Sequence, residues 1–254
     1  MGGTLDVEDL PGGVRRLTVQ HLARKNALDD GILRQLHDAL RTPPSVRVLW
    51  VRGAGGAFSA GYDLHQLSRA PAPNEPLPDA LLGEVLDALT RHPAPSIAQV
   101  QGPAFGAGCE LACACDFRVG DATAVFSLPP AKLGLVYAPA GIRRVQTRVG
   151  AQRARLMFLT AQRVDAQRAL DYGLLDVLGA DAEAQTQALA SELAALSPRA
   201  LAGMKVVLDS LLPPAREDPA LEALRRERFA SADAAEGRAS FLERRAARFL
   251  DRER

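Results

Sequence analysis

The amino-acid sequence predicts an α/β fold with a helical C-terminal part, on the strength of three observations. In the first half, short apolar runs typical of strands alternate with segments of helical periodicity, which indicates a sheet covered by helices. The run Val46–Val51 is apolar on both faces, as expected for a strand buried on both sides. From about Gly141 onward the pattern is almost entirely helical, and the one strand predicted there is Leu174–Leu178.

The N-terminal segment predicts a β-hairpin followed by a helix. Leu5–Glu8 and Val14–Val19 flank a Pro-Gly-Gly turn, which is typical of two antiparallel strands. After a polar loop, apolar residues at helical spacing predict a helix over Gly31–Arg41. Pro43 and Pro44 end that helix, and the apolar strand described above follows them.

The middle of the chain contains a proline-rich segment and two small-residue loops. Residues 71–79 cannot form a helix or a central strand, because proline lacks an N–H, and they predict a mobile surface connection. The loop Gly102–Gly108 leads directly into a helix. The elements predicted around it are helices Ala80–Arg91 and Ala107–Ala114 and strands Ser96–Val100, Phe117–Val119 and Ala124–Phe126.

The C-terminal part predicts a series of amphipathic helices separated by prolines. This pattern divides the chain into an α/β core of about residues 1–195 and a helical part of about residues 196–254. The predicted helices are Asp181–Leu196, Pro198–Leu212, Leu221–Ala230 and Asp233–Leu250.

Composition excludes several classes of protein. The formal net charge is +1, which argues against a dedicated nucleic-acid binder. No run approaches about 18 consecutive apolar residues, so no transmembrane helix is predicted. The first 20 residues lack the pattern of a signal peptide. Cys109, Cys113 and Cys115 are too few for a disulfide framework, and we expect a reduced protein in the cytoplasm.

Two loops could bind a substrate through their backbone. The segments 57–64 and 106–110 consist largely of small residues, each follows a predicted strand, and the second enters a helix N-terminus. N–H groups there lack intrahelical partners, and two converging donors would form an oxyanion hole. On spacing alone, two ordinary glycine-rich turns are the better explanation of the pattern.

Several segments, in their order along nearly the whole chain, resemble the enoyl-CoA hydratase/isomerase (crotonase) superfamily. The resemblance implies a crotonase-like spiral of ββα units with a C-terminal helical trimerisation region, assembled as a homotrimer or a dimer of trimers. It also implies an acyl-CoA thioester substrate, with coenzyme A entering as part of that substrate and with no metal or other cofactor. The matching segments are Arg24–Leu28, Arg52–Ala54, Phe58–Leu64, Gly106–Ala112, Cys115–Arg118, Lys132–Leu135, Ala166–Gly173 and Asp233–Arg244.

The resemblance assigns roles to single positions. The N–H groups of Tyr62 and Ala107 would hold the thioester oxygen as an enolate forms. Arg24 and Lys25 would contact the phosphates of CoA, while Arg244 matches a position that reaches a neighbour's CoA. Asp63 is expected to stabilise its own loop. The predicted substrate contacts are Arg24, Lys25, Ala27, Ala60, Gly61, Asp63, Leu64, Gly106, Pro129, Pro130, Leu133 and Arg244.

Glu110 is the predicted general acid/base, because it matches the first of the two glutamates that hydratases use. A plain alternative is a first-turn glutamate that interacts with the helix dipole. Pro130 stands where the family has its second glutamate, and proline has no titratable group. A single carboxylate could still take a proton from water and return it to the α-carbon. Hydratase-type lyase activity is therefore the first prediction.

Two further functions stay open. Tyr62 and Tyr137 lie in segments that resemble the methylmalonyl-CoA decarboxylase branch, which has a tyrosine matching Tyr137 and a histidine at the place of Tyr62. Tyr137 could equally be a packing aromatic. The third possibility is an acyl-CoA-binding oligomer that has lost catalysis.

Other polar residues predict less. The three cysteines could suggest a metal site, but buried thiols on a core helix fit their spacing better. His65 is either a basic residue near CoA or simply exposed. Arg143, Arg144 and Arg148 form a basic helix face, which predicts solvated surface or a subunit contact.

Overall fold

The computed structural model describes residues 2–41, 43, 45–66, 72, 75–212 and 218–249, and it confirms the α/β class. The strands are β1 (Thr4–Leu10), β2 (Val14–Gln20), β3 (Val48–Gly53), β4 (Ser96–Val100), β5 (Pro103–Phe105), β6 (Phe117–Gly120), β7 (Val125–Ser127), β8 (Arg163–Asp165) and β9 (Val177–Leu178). The helices are α1 (Asp30–Ala39), α2 (Ala80–Thr90), α3 (Ala107–Ala114), α4 (Pro139–Val149), α5 (Ala151–Thr160), α6 (Ala166–Tyr172), α7 (Ala182–Ala195), α8 (Pro198–Ser210), α9 (Pro219–Phe229) and α10 (Ala232–Leu242).

The strands form two sheets. The larger has the order β1-β2-β3-β4-β6-β9, with β1 antiparallel to β2, as the predicted hairpin requires, and all other neighbours parallel. The smaller has the order β5-β7-β8. In it β5 pairs in parallel with β7, and β7 pairs antiparallel with β8. The parallel ends of β3 and β4 therefore open on the same edge, where the two small-residue loops meet.

Both faces of the main sheet are covered, which explains why β3 and β4 have no polar face. On one side Leu17, Val51 and Ala98 belong to the large core cluster that also contains residues of α1, α2 and α3. On the other side Trp50 and Ile97 belong to a separate cluster with residues of α7. The sheet is thus a layer between helices.

Local sequence signals account for several element ends. The Asp29 carboxylate accepts a hydrogen bond from the Ile32 N–H at 2.7 Å and so caps α1. The Asp181 carboxylate caps α7 in the same way, through the Ala184 N–H at 3.0 Å. Gly150 separates α4 from α5 with a φ of +79°, which favours glycine. None of the described helices is long and apolar enough to cross a membrane.

Three predicted elements need correction. The predicted loop at 102–108 contains β5, and the predicted all-helical region contains β8; each strand has only three residues, too few to show a periodicity. The predicted helix Asp233–Leu250 ends at Leu242, because Arg244 adopts a left-handed conformation with a φ of +55°. Leu250 itself lies outside the described residues.

The proline-rich segment is not a mobile surface connection in its described part. Leu77 is buried and packs in one small cluster with Phe229. The carboxylate of Asp79 forms a 2.6 Å ion pair with Arg225, which is itself buried. Residues 71, 73 and 74 of the predicted segment, and Pro44, lie outside the described residues. Side-chain contacts therefore hold residues 77 and 79 against α9.

The last helices meet the core at one place. Helix α10 packs closely on the turn Pro130–Leu133, and a Cβ atom at Gly134 would lie 2.5 Å from the Asp233 carbonyl oxygen. Helix α8 has no buried residue and exposes Met204, Val206 and Leu208. The C-terminal part thus closes over the edge of the core while leaving one apolar helix uncovered in the single chain.

Candidate active site

A cavity of about 870 Å³ opens where the loops after β3 and β5 meet the turn after β7 and the C-terminal segment. The predicted site residues that line it are Arg24, Lys25, Ala27, Ala60, Gly61, Tyr62, Asp63, Leu64, Gly106, Ala107, Glu110, Pro129, Leu133, Tyr137 and Arg244. Pro130 does not line the cavity, because it is buried in the turn that follows β7. One cavity therefore brings together residues from distant parts of the sequence.

The two small-residue loops lie side by side through backbone hydrogen bonds. The Ser59 N–H donates to the Pro103 carbonyl oxygen, and the Phe105 N–H donates back to the Ser59 carbonyl oxygen, both at 2.9 Å. Gly61 follows with a φ of +100°, and a Cβ atom there would lie 2.6 Å from the Phe105 oxygen and 3.3 Å from the Ala107 nitrogen. Only glycine satisfies both the backbone conformation and this close approach.

The N–H groups of Tyr62 and Ala107 are available for a ligand, because within the described residues neither donates to a protein acceptor. Around Tyr62, the Leu28 N–H donates to the Gly61 carbonyl oxygen and the Asp63 N–H donates to that of Leu28, so the Tyr62 N–H points to the other side. Ala107 is the first residue of α3, where an N–H has no intrahelical partner. Since Gly61, the residue before Tyr62, lies against Ala107, the two free N–H groups are neighbours, as the predicted oxyanion hole requires.

Glu110 lies one turn along α3 from Ala107, so the two residues share a face of the helix. Its carboxylate is buried, and its Oε1 accepts a 2.6 Å hydrogen bond from Nη1 of Arg144. A Cβ atom at Gly141 would lie 2.5 Å from Oε1, so the glycine provides the space for the carboxylate. Burial raises the pKa of Glu110 to about 7, although Arg144 opposes the shift. This value suits a group that both takes and returns a proton.

Arg144 lines the cavity and contacts Glu110, although the sequence analysis gave it no role at the site. The predicted basic face of α4 is solvated only in part. Arg148 is exposed and donates to the Cys115 carbonyl oxygen at 3.1 Å, whereas the side chain of Arg144 is largely buried and pairs with both Glu110 and Asp87. A buried glutamate requires a charged or hydrogen-bonding partner. The signal in the sequence that could have identified this partner was an arginine on α4, the helix that follows α3. The helix periodicity alone could not show which of three arginines points inward.

The two tyrosines have different positions. The hydroxyl of Tyr62 donates to the Pro78 carbonyl oxygen at 2.9 Å and contacts the Asp30 carboxylate at 3.1 Å, so its side chain is committed to the protein. The hydroxyl of Tyr137 lies over Gly106, 3.0 Å from where a Cβ atom would stand. Its ring packs edge-on against Phe158. Burial raises the pKa of Tyr137 well above its usual value, so the phenol is neutral.

The predicted CoA-contacting loop is held by its own contacts. The Arg24 guanidinium pairs with the Asp63 carboxylate, and this carboxylate also accepts from the His65 N–H at 3.1 Å, as expected for a residue that stabilises its loop. Asn26, which the sequence analysis left without a role, donates to the Ala54 and Ala57 carbonyl oxygens, both at 2.7 Å. Lys25 remains exposed at the mouth of the cavity.

The rim of the cavity is basic. Arg244 lines the cavity of its own chain. His65 is exposed at the same rim. Cationic side chains at a cavity mouth suit a ligand that carries phosphates. The cationic lining residues, besides Arg144 in the interior, are Arg24, Lys25, Lys132, Arg163, Arg244 and Arg245.

The cysteines are free and buried, as the sequence analysis favoured. Within the described residues no cluster of three histidine, cysteine or acidic side chains could hold a metal ion. Cys109 and Cys113 lie one turn apart on α3, where they fill the core beneath the cavity.

Comparisons with known proteins agree on one family. The sequence model of the family described as Enoyl-CoA hydratase/isomerase matches residues 9–252. A probable enoyl-CoA hydratase of Mycobacterium bovis is 35% identical over 238 residues, covering 93% of this chain and 95% of the relative. The 2,3-dehydroadipyl-CoA hydratase of Escherichia coli is 35% identical over 251 residues, covering 93% and 94%. The crystal structure of methylmalonyl-CoA decarboxylase complexed with 2S-carboxypropyl-CoA matches with a TM-score of 0.89 at 27% identity, covering 98% of both chains.

Proposed function

This chain belongs to the enoyl-CoA hydratase/isomerase family, and we propose that it is a hydratase-type lyase that adds water to an enoyl-CoA thioester. The family and the crotonase-like fold predicted from the sequence are both confirmed. What supports the proposal is one arrangement: a buried carboxylate, Glu110, on the same helix face as one of two free backbone N–H groups in one cavity.

The proposed reaction uses one carboxylate twice. The N–H groups of Tyr62 and Ala107 hold the thioester oxygen. Ionised Glu110 takes a proton from water as the water oxygen forms its bond to the β-carbon, and the π electrons move onto the thioester as an enolate. The acid form of Glu110 then returns the proton to the α-carbon, and the enolate collapses to the saturated hydroxyacyl-CoA. This chemistry needs no cofactor beyond the CoA carried by the substrate.

The test is an assay of the purified protein against a panel of CoA esters, with product masses read directly. The panel contains crotonyl-CoA, a branched enoyl-CoA, an aromatic enoyl-CoA and methylmalonyl-CoA. We expect an enoyl-CoA to gain the mass of one water. Tight binding of every ester without any turnover would overturn the proposal in favour of the acyl-CoA-binding oligomer.

A second candidate is a decarboxylase acting on a malonyl-type CoA ester, favoured by the placement of Tyr137. Its neutral hydroxyl lies over Gly106, beside the start of α3. In that reaction the bond from the α-carbon to the carboxylate breaks, carbon dioxide leaves, and the electrons form the enolate that the same N–H groups hold. A proton then adds to the α-carbon. Loss of the mass of carbon dioxide from methylmalonyl-CoA, with no hydration of the enoyl esters, would establish this activity instead.

We also propose that the chain assembles into a trimer or a dimer of trimers. The observation is a group of exposed apolar side chains on α8 and at its C-terminal end: Met204, Val206, Leu208 and Leu211. Apolar side chains grouped on one exposed helix are typical of a subunit contact. Sedimentation or light scattering of the purified protein tests the assembly.

A cytoplasmic location remains a prediction. The three free cysteines are consistent with a reducing compartment.

A further inference from the structure

Arg144 connects the buried acid Glu110 to a second carboxylate that the proposed reaction does not use. Its Nη1 donates to Oε1 of Glu110 at 2.6 Å, and its Nη2 pairs with Oδ1 of Asp87 on α2. The side chains become more exposed along this series, from 9% for Glu110 and 10% for Arg144 to 43% for Asp87. One guanidinium thus has its charge divided between a buried and a half-exposed carboxylate.

Arg144 also lies between two cavities. A second cavity of about 750 Å³ is lined by Asp87 and Arg144 but not by Glu110. Arg144 and Ala140 line both this cavity and the substrate cavity. The guanidinium is therefore part of the partition, and Asp87 meets solvent on the far side from the substrate.

The other groups around Glu110 leave Arg144 as its principal counter-charge. Asp79, before α2, and Arg225, on α9, both act on Glu110, but they form their own 2.6 Å ion pair, and Arg225 also pairs with Glu222. Tyr137 and Cys109 also face Glu110. Burial raises the pKa of Tyr137, and a hydrogen bond with Cys113, together with burial, raises that of Cys109, so neither is charged near neutral pH.

We propose that Arg144 and Asp87 are positioning residues that set the orientation and the charge state of Glu110. Arg144 holds the carboxylate against Gly141 and favours its ionised form. Asp87 anchors the other end of the guanidinium and draws part of its charge away from Glu110. The inference concerns the acid/base of the proposed hydratase and rests on that proposed function for its kinetic test.

The two substitutions are expected to shift the titration of Glu110 in opposite directions. Asp87→Asn removes a negative charge and leaves Arg144 to Glu110 alone, so the pKa of Glu110 falls by about half a unit to one unit. Arg144→Gln removes the cation, so the same pKa rises by about one unit or more. The pH dependence of kcat/KM reports the titration of the free enzyme, and the reaction needs Glu110 in its ionised form. The acid limb of the kcat/KM profile should therefore move with the pKa of Glu110 in each variant.

The experiment records the pH profile of kcat/KM for the native protein, Asp87→Asn, Arg144→Gln and the control Asp209→Asn. Asp209 lines the same second cavity and does not contact Arg144, so its variant should keep the native profile. We expect a lower midpoint for Asp87→Asn, a higher one for Arg144→Gln and a fall in kcat for both. Equal midpoints in folded variants, or shifts of the same sign, would overturn the proposal.

A second readout does not depend on turnover. The infrared band of the protonated Glu110 carboxyl can be assigned as the band that Glu110→Gln removes, and its titration can be followed in each folded variant. If the titration midpoint of this band moves as expected while Glu110→Gln retains full activity, then Arg144 and Asp87 do set the charge state of Glu110, and the proposed reaction is wrong. If the native band titrates unchanged in Asp87→Asn, the positioning role is wrong, whatever the reaction.

Discussion

Two segments of the cavity wall, 106–110 and 129–137, differ sharply in their chemistry. The first supplies the free Ala107 N–H and the buried Glu110 carboxylate within one turn of α3. In the second, the ionisable residues that line the cavity are Lys132 and Tyr137, and no carboxylate of that segment lines the cavity. Pro130, which the family resemblance matches to a second glutamate, is buried in this segment.

For the proposed hydration, the difference leaves the α3 side as the source of proton transfer. A two-carboxylate hydratase can divide the work, with one group activating water and the other protonating carbon. In the proposed reaction Glu110 does both, and its pKa of about 7 lets it exist in both forms near neutral pH. Segment 129–137 instead shapes the pocket and places Tyr137 over Gly106. Substitutions on the two segments should therefore have effects of very different size.

The largest effect is expected for Glu110→Gln. Removing the general acid/base should lower kcat by about 10²–10⁴-fold, while the oxyanion hole still binds the ester. Calorimetry with a saturated acyl-CoA should show a Kd within about threefold of the native value, since a neutral hydrogen bond contributes about that much. The exposed Glu192→Gln is the control and should match the native protein. Native turnover by Glu110→Gln would show that Glu110 is not the general acid/base, so that the two wall segments would no longer differ in this role.

A comparable loss is expected when the oxyanion loops are pushed apart by Gly61→Ala. The added methyl would lie 2.6 Å from the Phe105 carbonyl oxygen, on a backbone whose φ of +100° already disfavours alanine. Losing one oxyanion donor costs about 10²–10³-fold in kcat. Gly56→Ala is the matched control, because a Cβ atom there meets nothing within 4 Å. A folded Gly61→Ala variant with native kcat would show that the close approach of Gly61 to Phe105 does not determine the geometry of the oxyanion hole.

The sequence allowed much of this site to be predicted, because backbone chemistry leaves local signals. Glycine at position 61 and small residues before Glu110 are visible as a pattern, and the family resemblance then located Tyr62 and Ala107. The α/β class followed from apolar runs on β3 and β4. Strands β5 and β8 were not predictable, because three residues show no period and their pairing depends on distant neighbours.

Long-range pairing of charges also escaped the sequence. Arg144 lies 34 positions from Glu110 and 57 from Asp87, so no local spacing relates them. Arg148 carried the same surface expectation; it is exposed, yet its guanidinium also reaches a distant acceptor, the Cys115 carbonyl oxygen. The described end of the proline-rich segment was likewise misjudged, because Leu77 gains its partner only when α9 folds back. Contacts between distant elements decide burial, and composition alone cannot supply them.

An effect of intermediate size is expected at the part of the cavity wall that α2 forms. Gly83 lines the cavity within α2, and a Cβ atom there meets nothing within 4 Å, so the missing side chain leaves open space. Gly83→Leu should fill that space and lower kcat/KM for bulky aromatic or long-chain enoyl esters by about tenfold or more, with crotonyl-CoA affected much less. Helix propensity should make the variant at least as stable as the native protein.

The control for this substitution is Glu84→Leu, which adds the same side chain one position further along α2, on its exposed face. It should leave the ratio of kcat/KM between bulky and short esters unchanged. If Gly83→Leu lowers kcat/KM equally for both esters, the acyl group does not extend along α2, and the open space at Gly83 instead holds the CoA part of the substrate.

The smallest effect is expected for Tyr137→Phe. If hydration proceeds from the α3 side, the Tyr137 hydroxyl makes at most one neutral hydrogen bond to the substrate, and its loss should change kcat by about threefold or less. The ring remains and keeps its edge-on contact with Phe158, so folding should be preserved. A loss of about 10²-fold or more would instead mean that segment 129–137 takes part in the chemistry. If the protein also releases carbon dioxide from methylmalonyl-CoA, that loss would assign proton transfer to Tyr137. Segments 106–110 and 129–137 would then both contribute to catalysis.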